Sequence, residues 1–376
     1  MSGNGHLSPA QVHAKVKHPI IDGDGHWVEF PPVFAEKMRK VGGDKAADGF
    51  LAPRGAGEGL KMTPAERTER RIAQPNFWNR QGENTLDRAT AMMPRLLYER
   101  LDEIGSDFVV IYPTAGLGLP RIKDDATRRA VIRAYNIVSA DYFRDFSDRM
   151  TPAAVIPMHT PEEAIEELEF VTKELGSKVG MFGSNLPRPA RPPWRRMTNL
   201  ERMDPAKLDR KLLMELVVKY GYDDMAEALR ARDGYPNPEA HLTGGRAELD
   251  DFAACKITRK EDWLDLYARP YYFGCEADDR MNVCAFSRAN PFGAQLNAIY
   301  SSDIGHFDVI DMRDPLPEAW KLVEDGLITE DNFRAFTFAN AVRLWGAQNP
   351  RFFEGTVVAN EAAAVLTEPM LRAAAE

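Results

Sequence analysis

Short apolar runs alternate with helical patterns in the first half of the chain, and this rhythm restricts the fold most. The runs FVVIYPT (Phe108 to Thr114), TPAAVIPMHT and KVGMFG (Lys178 to Gly183) are typical of strands buried on both faces. An apolar helical repeat from Asp124 to Met150 separates the first two runs. The next helix, TPEEAIEELEFVTKELG, has Thr160 as its N-cap and a closing Gly176. This order predicts right-handed crossovers and a parallel sheet, either doubly wound or closed into a barrel.

The rhythm stops between residues 184 and 269. A proline-rich linker, NLPRPARPPW, is followed by charged helical segments and by no strand-like run. The alternation returns with YYFGCE (Tyr271 to Glu276) and LNAIYSSDIGHFDV (Leu296 to Val309). With the strand that enters DGDGH near residue 20, the sequence predicts about six strands, where a closed barrel of this type has about eight.

Polar sequence rich in Arg, Gly and Lys occupies residues 35 to 105, after the first strand. Helical pieces within it run from Thr63 to Ile72 and from Leu86 to Gly105. We interpret this region as a helical insertion or cap over the mouth of the sheet. The predicted organisation is an extension over residues 1–17, one barrel domain over 18–356 with an irregular helical segment at 184–269, and a tail over 357–376.

Charge and cysteine content exclude several classes of function. The chain of 376 residues has 57 acidic and 48 basic residues, a net charge of −9, without the basic patch that nucleic acid requires. No apolar run is long enough for a membrane span, and the N-terminus lacks a signal-peptide core. The cysteines, Cys255, Cys275 and Cys284, form no CxxC pair and are expected to be buried free thiols. A cytoplasmic protein with a small-molecule partner is expected.

The segment IIDGDGHWVE (Ile20 to Glu29) ends the first predicted strand with carboxylates and an imidazole. Glycine and aspartate also suit a plain surface turn, so one interpretation is structural. In an extended segment, however, Asp22, Asp24 and His26 would point the same way, and oxygen and imidazole ligands suit zinc or manganese. The last strand ends similarly in Asp303 and His306, and carboxyl ends of parallel strands are where active sites lie.

The motifs IDGDGHWVE, PMHTPEEAIEELE, YYFGCEADDR, SSDIGHFDV and FANAVRLWGAQNPRFFEGT together resemble the amidohydrolase-related family. Within it, they look like the metal-dependent hydrolases and non-oxidative decarboxylases related to aminocarboxymuconate semialdehyde decarboxylase. The likeness covers residues 18 to 183 and 248 to 356. It implies a TIM-like (β/α)8 barrel of the metal-dependent hydrolase type with a divalent ion at the strand ends. Here the barrel is predicted to be incomplete, without strands five and six.

By this resemblance, Asp24, His26 and Asp303 match metal ligands of the family, and zinc is expected, with manganese as the alternative. His306 matches a histidine that often follows the strand-eight aspartate, and Asp303 with His306 are the expected catalytic residues. The family's histidines after strands five and six have no match. The only histidine between Gly183 and Tyr271 is His241, which lies in a Pro- and Gly-flanked loop.

Three functions follow from these residues. The first is hydrolysis of a small carboxylated or cyclic substrate by a metal-activated water. The second is non-oxidative decarboxylation, the carboxy-lyase reaction of the same family. The third is a catalytically impaired relative that serves as a scaffold or subunit. Exposed strand edges in an open barrel would favour a homo-oligomer.

Further residues have both a functional and a structural interpretation. Glu276, at the end of a predicted strand, and Trp27, beside His26, are predicted to contact substrate. Trp27 and the other aromatic residues of these segments, Tyr112, Tyr271, Tyr272 and Phe273, are also typical of a packed core. His306 is either a substrate-side acid or a residue that holds Asp303 in place.

Overall fold

Six β-strands, arranged in parallel ladders, form the framework of the part of the chain that the structure describes. The computed structural model describes residues 7–52, 62–69, 84–183, 209–221, 225, 256–259, 261–306 and 308–368. The strands in these residues are β1 (Ile21–Trp27), β2 (Phe108–Pro113), β3 (Met150–Ile156), β4 (Val179–Phe182), β5 (Tyr272–Glu276) and β6 (Asn297–Ser301). Each predicted strand is present, but β3 ends at Ile156 and β6 at Ser301, before the polar ends of the runs that predicted them.

The strands form two parallel ladders that meet at β1. One ladder has the order β1-β2-β3-β4, and the other pairs β5 with β6. Just beyond β6, the amide of Asp303 donates to the carbonyl of Asp24 at 3.1 Å, and that of His26 donates to Ile304 at 2.7 Å. These bonds place β6 beside β1. The predicted α/β class with a parallel sheet is therefore confirmed, and the arrangement is consistent with an incomplete barrel.

The predicted loss of two strands falls on a segment that lies largely outside the described residues. Within 184–269, the structure describes residues 209–221, 225, 256–259 and 261–269. His241 and Cys255 also lie outside the described residues. The loss of strands five and six stays a prediction.

Helices connect and cover the strands. They are α1 (Pro9–Lys15), α2 (Pro31–Leu51), α3 (Pro64–Glu69), α4 (Thr85–Met92), α5 (Pro94–Ile104), α6 (Asp125–Phe143), α7 (Pro161–Lys173), α8 (Arg210–Tyr220), α9 (Val283–Phe286), α10 (Pro315–Glu324), α11 (Glu330–Arg334), α12 (Asn340–Gln348) and α13 (Ala359–Thr367). The cap predicted for α7 is present, since the Thr160 hydroxyl oxygen accepts from the Glu163 amide at 3.2 Å. A π-helical turn, Ala335–Ala339, joins α11 to α12.

Two helix predictions need correction. The segment from Leu86 to Gly105 is not one helix: it breaks at Met93, because the residue before a proline avoids the helical region, and Pro94 starts α5. The helix predicted to run to Met150 ends at Phe143. A single 3₁₀ turn, Arg144–Phe146, leads from it towards the first residue of β3.

Apolar side chains from both faces of the sheet form the core. The larger cluster joins β1 to β4 with α2, α5 and α6, and includes the fully buried Phe108, Ile111 and Val155. A second cluster packs Tyr300 of β6 against Trp320 and neighbouring residues of α10 and α11. Parallel strands buried on both faces explain why these segments read as continuous apolar runs.

The chain divides into two compact units, residues 1–188 with 264–376 and residues 189–263. The strands and all the site residues described below belong to the first unit. In the second unit, the longest described element is α8. The domain limits at residues 17 and 356 stay a prediction. Among the described helices, none is long and apolar enough to cross a membrane.

A buried ion pair joins α6 to α7, and its removal is expected to destabilise the fold. The Arg128 guanidinium donates to both carboxylate oxygens of Glu163 at 2.8 and 2.7 Å, and both side chains are almost fully buried. Arg128→Ala leaves a buried carboxylate unpaired, which costs about 3–5 kcal/mol.

The adjacent Arg129 provides a matched control, because it pairs with Glu166 at 3.5 Å on the exposed surface. Arg129→Ala is expected to cost at most about 1 kcal/mol. Urea unfolding of both variants measures their free energies of unfolding. Equal losses of stability would contradict the conclusion that the buried pair stabilises the fold.

Candidate metal centre

The DGDGH segment forms β1 and contains a bulge. Asp22 lies opposite Val109 and Gly25 opposite Ile111, so β1 uses one residue more than β2 between these two pairs. A Cβ on Gly23 would overlap the side chain of Ile299 on β6. Glycine at this position therefore lets β1 approach β6 closely enough for the polar residues of both strand ends to meet.

Four predicted site residues come together at these strand ends. The Nε2 atom of His26 lies 3.2 Å from an oxygen of Asp24 and 3.2 Å from an oxygen of Asp303. The Nδ1 atom of His306 lies 2.7 Å from the same Asp303 oxygen. The two imidazole rings stack, with centroids 3.9 Å apart. The structure thus brings the residues of the first and last strands into one cluster.

The surroundings of His26 favour a positive charge on its imidazole ring. Burial lowers the pKa of His26, but the hydrogen bond and charge of Asp24 and the charge of Asp303 outweigh burial and raise it above its ordinary value. The Nδ1 atom of His26 is buried and has no hydrogen-bond partner among the described residues. The carboxylates of Asp24 and Asp303 contact the other ring nitrogen, Nε2, which is therefore the nitrogen that faces the cluster.

These side chains fit a divalent metal ion. His26, Asp303 and His306 each offer a ligand atom, and the three atoms lie within 4.8 Å of one another. Among the described residues, this is the one group of three or more potential ligands that meets this limit. Asp24 lies beside this group, since one of its carboxylate oxygens is 3.2 Å from Nε2 of His26. Mixed imidazole and carboxylate ligands suit zinc and manganese.

The backbone around Asp303 is unusual. Asp303 has φ +53° and Gly305 has φ +98°, both in the left-handed region. Strained conformations of this kind persist where the surrounding structure imposes them, and they are frequent at functional sites. A Cβ on Gly305 would overlap the carbonyl oxygen of His26. The turn after β6 therefore packs directly onto the backbone of β1.

Thr114 contacts the cluster beside His306, and Glu29 supports the turn that follows Thr114. Neither residue was predicted from the sequence to belong to the site. The Thr114 hydroxyl lies 3.5 Å from Nε2 of His306. The Thr114 turn is held by the buried carboxylate of Glu29, which accepts from the amides of Ala115 and Gly116 at 2.7 and 2.9 Å. These contacts join residues that are distant in sequence. The one feature of the local sequence that could have indicated a role for Glu29 was its position just after the predicted metal ligands.

Glu276 lies near the cluster, at the end of β5. Together with Ser302 and Asp303, it lines a cavity of about 480 Å³ that is otherwise mainly acidic, with Asp278, Asp308, Asp311, Asp314 and Glu318. Partial burial, with the charges of Asp303 and Asp24, raises the pKa of Glu276 to about 7. Neither lysine nor arginine lines this cavity in the described part of the chain. The resulting negative potential favours a bound cation.

Trp27 is not brought into the cluster. Its ring is buried in the core, with centroids 5.6 Å from Phe34 and 5.2 Å from Phe143, because successive residues of a strand face opposite sides. Tyr112 does lie beside the site. Its ring centroid is 6.0 Å from that of His26, and burial together with Asp24 and Asp22 raises its pKa to about 12.

No protein-family model and no curated protein matches the chain. It is similar to a 5-carboxyvanillate decarboxylase from Novosphingobium aromaticivorans, solved with manganese and 4-hydroxy-3-methoxy-5-nitrobenzoic acid (14% identity, 88% of this chain and 96% of that chain, TM-score 0.43). It is also similar to an amidohydrolase from Mycobacterium avium subsp. paratuberculosis K-10 (16% identity, 88% and 100%, TM-score 0.44). A third is an amidohydrolase from Burkholderia ambifaria with bound zinc (15% identity, 96% and 97%, TM-score 0.32). Two of the three are named as amidohydrolases.

Gly305 is expected to be essential for the geometry of the turn. Gly305→Ala would add the steric cost of a left-handed alanine, about 1–2 kcal/mol, to an overlap with the backbone of His26. Gly326 is a matched control, since it has φ +68° and no atom lies within 4 Å of the position that a Cβ would take there. Urea unfolding should therefore show a clearly larger loss for Gly305→Ala than for Gly326→Ala. Equal losses would contradict the close packing of the turn on β1.

Glu276 is expected to make the stability of the metal-free protein pH-dependent. Its folded pKa of about 7 exceeds its ordinary value of 4.5, so between these pH values the folded protein holds a proton that the unfolded chain releases. The free energy of unfolding should therefore fall as the pH rises through this window and stay lower above it. Urea unfolding of wild type and Glu276→Gln across the window tests this. An identical pH slope in the variant would contradict the shifted pKa.

Proposed function

We propose that this protein is a metal-dependent hydrolase of the amidohydrolase type that acts on a small carboxylated or cyclic substrate. One observation carries the proposal: His26 lies between the carboxylates of Asp24 and Asp303, and His306 contacts the same oxygen of Asp303. Residues from both ends of the chain thus build one imidazole and carboxylate cluster beside a cavity.

In this proposal, Asp24, His26 and Asp303 hold the cation, and His306 lies within reach of it. Zinc is the expected ion and manganese the alternative. When bound, such an ion lowers the pKa of water and polarises substrate oxygens. Its charge would also offset the carboxylates that surround His26.

The protein side chains supply the proton transfers. Asp303 takes a proton from the attacking water as the new C–O bond forms, and it then returns this proton to the leaving group as the bond to that group breaks. The N–H of His306 at Nδ1 donates to Asp303 at 2.7 Å and holds this carboxylate in position. Burial is the main cause that raises the pKa of Glu276 in the metal-free protein, and burial also favours the protonated carboxyl group, whose O–H can donate to a substrate oxygen.

Decarboxylation is the second candidate, because Glu276 also offers the proton that this reaction needs. Loss of CO₂ breaks a C–C bond and leaves an electron pair on carbon, which a proton must neutralise. Glu276, whose pKa is raised mainly by burial, can supply this proton and lines the same cavity as Asp303. A carboxylated substrate would enter among acidic side chains, so we expect its binding to depend on the metal.

Metal content measured together with turnover tests the proposal. Purified wild type should contain about one Zn or Mn per chain by elemental mass spectrometry. The Asp303→Asn variant should lose most of this metal, because a charged carboxylate ligand becomes a neutral amide. The control is Asp48→Asn, which changes the same group on the exposed surface of α2. It should retain the metal.

Wild type stripped by a chelator and reloaded is then assayed for hydrolysis of lactones and amides and for CO₂ release from aromatic carboxylic acids. Metal-dependent turnover of either class supports an enzyme and identifies the reaction. Folded wild type that takes up no zinc or manganese would overturn the proposal. That result would favour the non-catalytic scaffold, for which we propose a homo-oligomer that covers the exposed strand edges.

A further inference from the structure

We infer that Asp22 and Ser302 are positioning residues that form a clamp between β1 and β6 and set the geometry of the metal ligands. This inference rests on the proposed function, because it concerns the same cluster. Asp22 is fully buried, and Ser302 is 2% exposed. The Asp22 carboxylate accepts from the Ser302 hydroxyl, from the Ser302 amide at 3.1 Å and from the Asp24 amide at 3.1 Å.

The position of this clamp in the sheet explains why it is needed. No ladder joins β1 to β6 among the described strands, although the ligands come from the ends of these two strands. Asp22 lies two residues before Asp24, and Ser302 directly precedes Asp303. Hydrogen bonds between Asp22 and Ser302 therefore add to the two backbone bonds, Asp303 to Asp24 and His26 to Ile304, that hold the ligand-bearing segments together.

The Ser302 hydroxyl also fixes the conformation of Asp303. It accepts from the amide of Ile304 at 3.2 Å, a bond that spans Asp303, and it donates to Asp22, which ties this turn to β1. Asp303 has φ +53°, a left-handed conformation that is uncommon for residues other than glycine and that aspartate tolerates better than most. Loss of this hydroxyl would let Asp303 relax and its carboxylate move away from His26.

Ser301 provides a control for a purely structural role. It is also 2% exposed and lies next to Ser302 in the chain, but its hydroxyl donates to the Ile299 carbonyl at the long distance of 3.4 Å. Ser301→Ala and Ser302→Ala remove the same atom from adjacent buried positions. Only the second substitution removes a bond to Asp22.

The test uses the full-length protein with Mn²⁺ and Co²⁺ as probes. Mn²⁺ affinity is measured by electron paramagnetic resonance titration, Co²⁺ coordination by its visible spectrum, and folding by thermal unfolding. Ser302→Ala is expected to weaken Mn²⁺ binding about 10–100-fold, as is typical when a partner of a metal ligand is lost, and to change the Co²⁺ spectrum. Ser302→Thr, which keeps a hydroxyl, should restore both, and Ser301→Ala should leave both as in wild type.

The outcomes separate the clamp from the proposed function. Wild type that binds neither ion would overturn the proposed function and the clamp with it. Wild type that binds Mn²⁺ while folded Ser302→Ala has the same affinity and spectrum would overturn the clamp alone. If Ser302→Ala fails to fold, Asp22→Asn replaces it in the comparison, and an unchanged affinity in that variant would equally overturn the clamp.

Discussion

The hydrogen bonds between the ends of β1 and β6 are the interactions on which the site depends. They join two ladders that share no strand pairing, through Asp24 with Asp303, His26 with Ile304 and the buried Asp22 with Ser302. Without them, the residues after the last strand would have no fixed relation to those of the first. A bulge in β1 and a glycine opposite Ile299 allow this approach.

Electrostatics explains why such a cluster suits a cation. Two carboxylates lie within 3.2 Å of one imidazole nitrogen, and the neighbouring cavity is lined mainly by acids. In the metal-free protein, this negative charge raises the pKa of His26 and, after burial, that of Glu276. Protons thus partly neutralise the site when no metal is bound. A divalent ion would do so more completely, because it carries two charges and binds several ligands at once.

Most of the strand framework could be predicted from sequence because fully buried parallel strands read as unbroken apolar runs. Phe108–Pro113 and Met150–Ile156 are examples, and polar residues at the strand ends predicted Asp24, His26, Asp303 and His306 as one site. The break of the predicted helix at Pro94 was missed although proline marks it. The apolar helical repeat continues on both sides of Met93, and it favoured one continuous helix over the break that Pro94 indicates.

The rest could not be predicted because it depends on tertiary contacts. Nothing near Thr114 in the sequence shows that it reaches His306, or that Glu29 holds its turn. Trp27 is different, because alternation along β1 already places it on the face opposite to His26, and this local signal was present in the sequence. The paired role of Asp22 and Ser302 likewise joins positions 280 residues apart.

Anomalous diffraction from crystals grown with Mn²⁺ would test the metal centre most directly. A site built by β1 and β6 predicts one strong peak in contact with His26 and Asp303, with His306 or Asp24 completing the ligands, and its loss in Asp303→Asn. A peak confined to the exposed acids of the cavity, or no peak in well-ordered crystals, would contradict the conclusion that these strand ends form a metal centre.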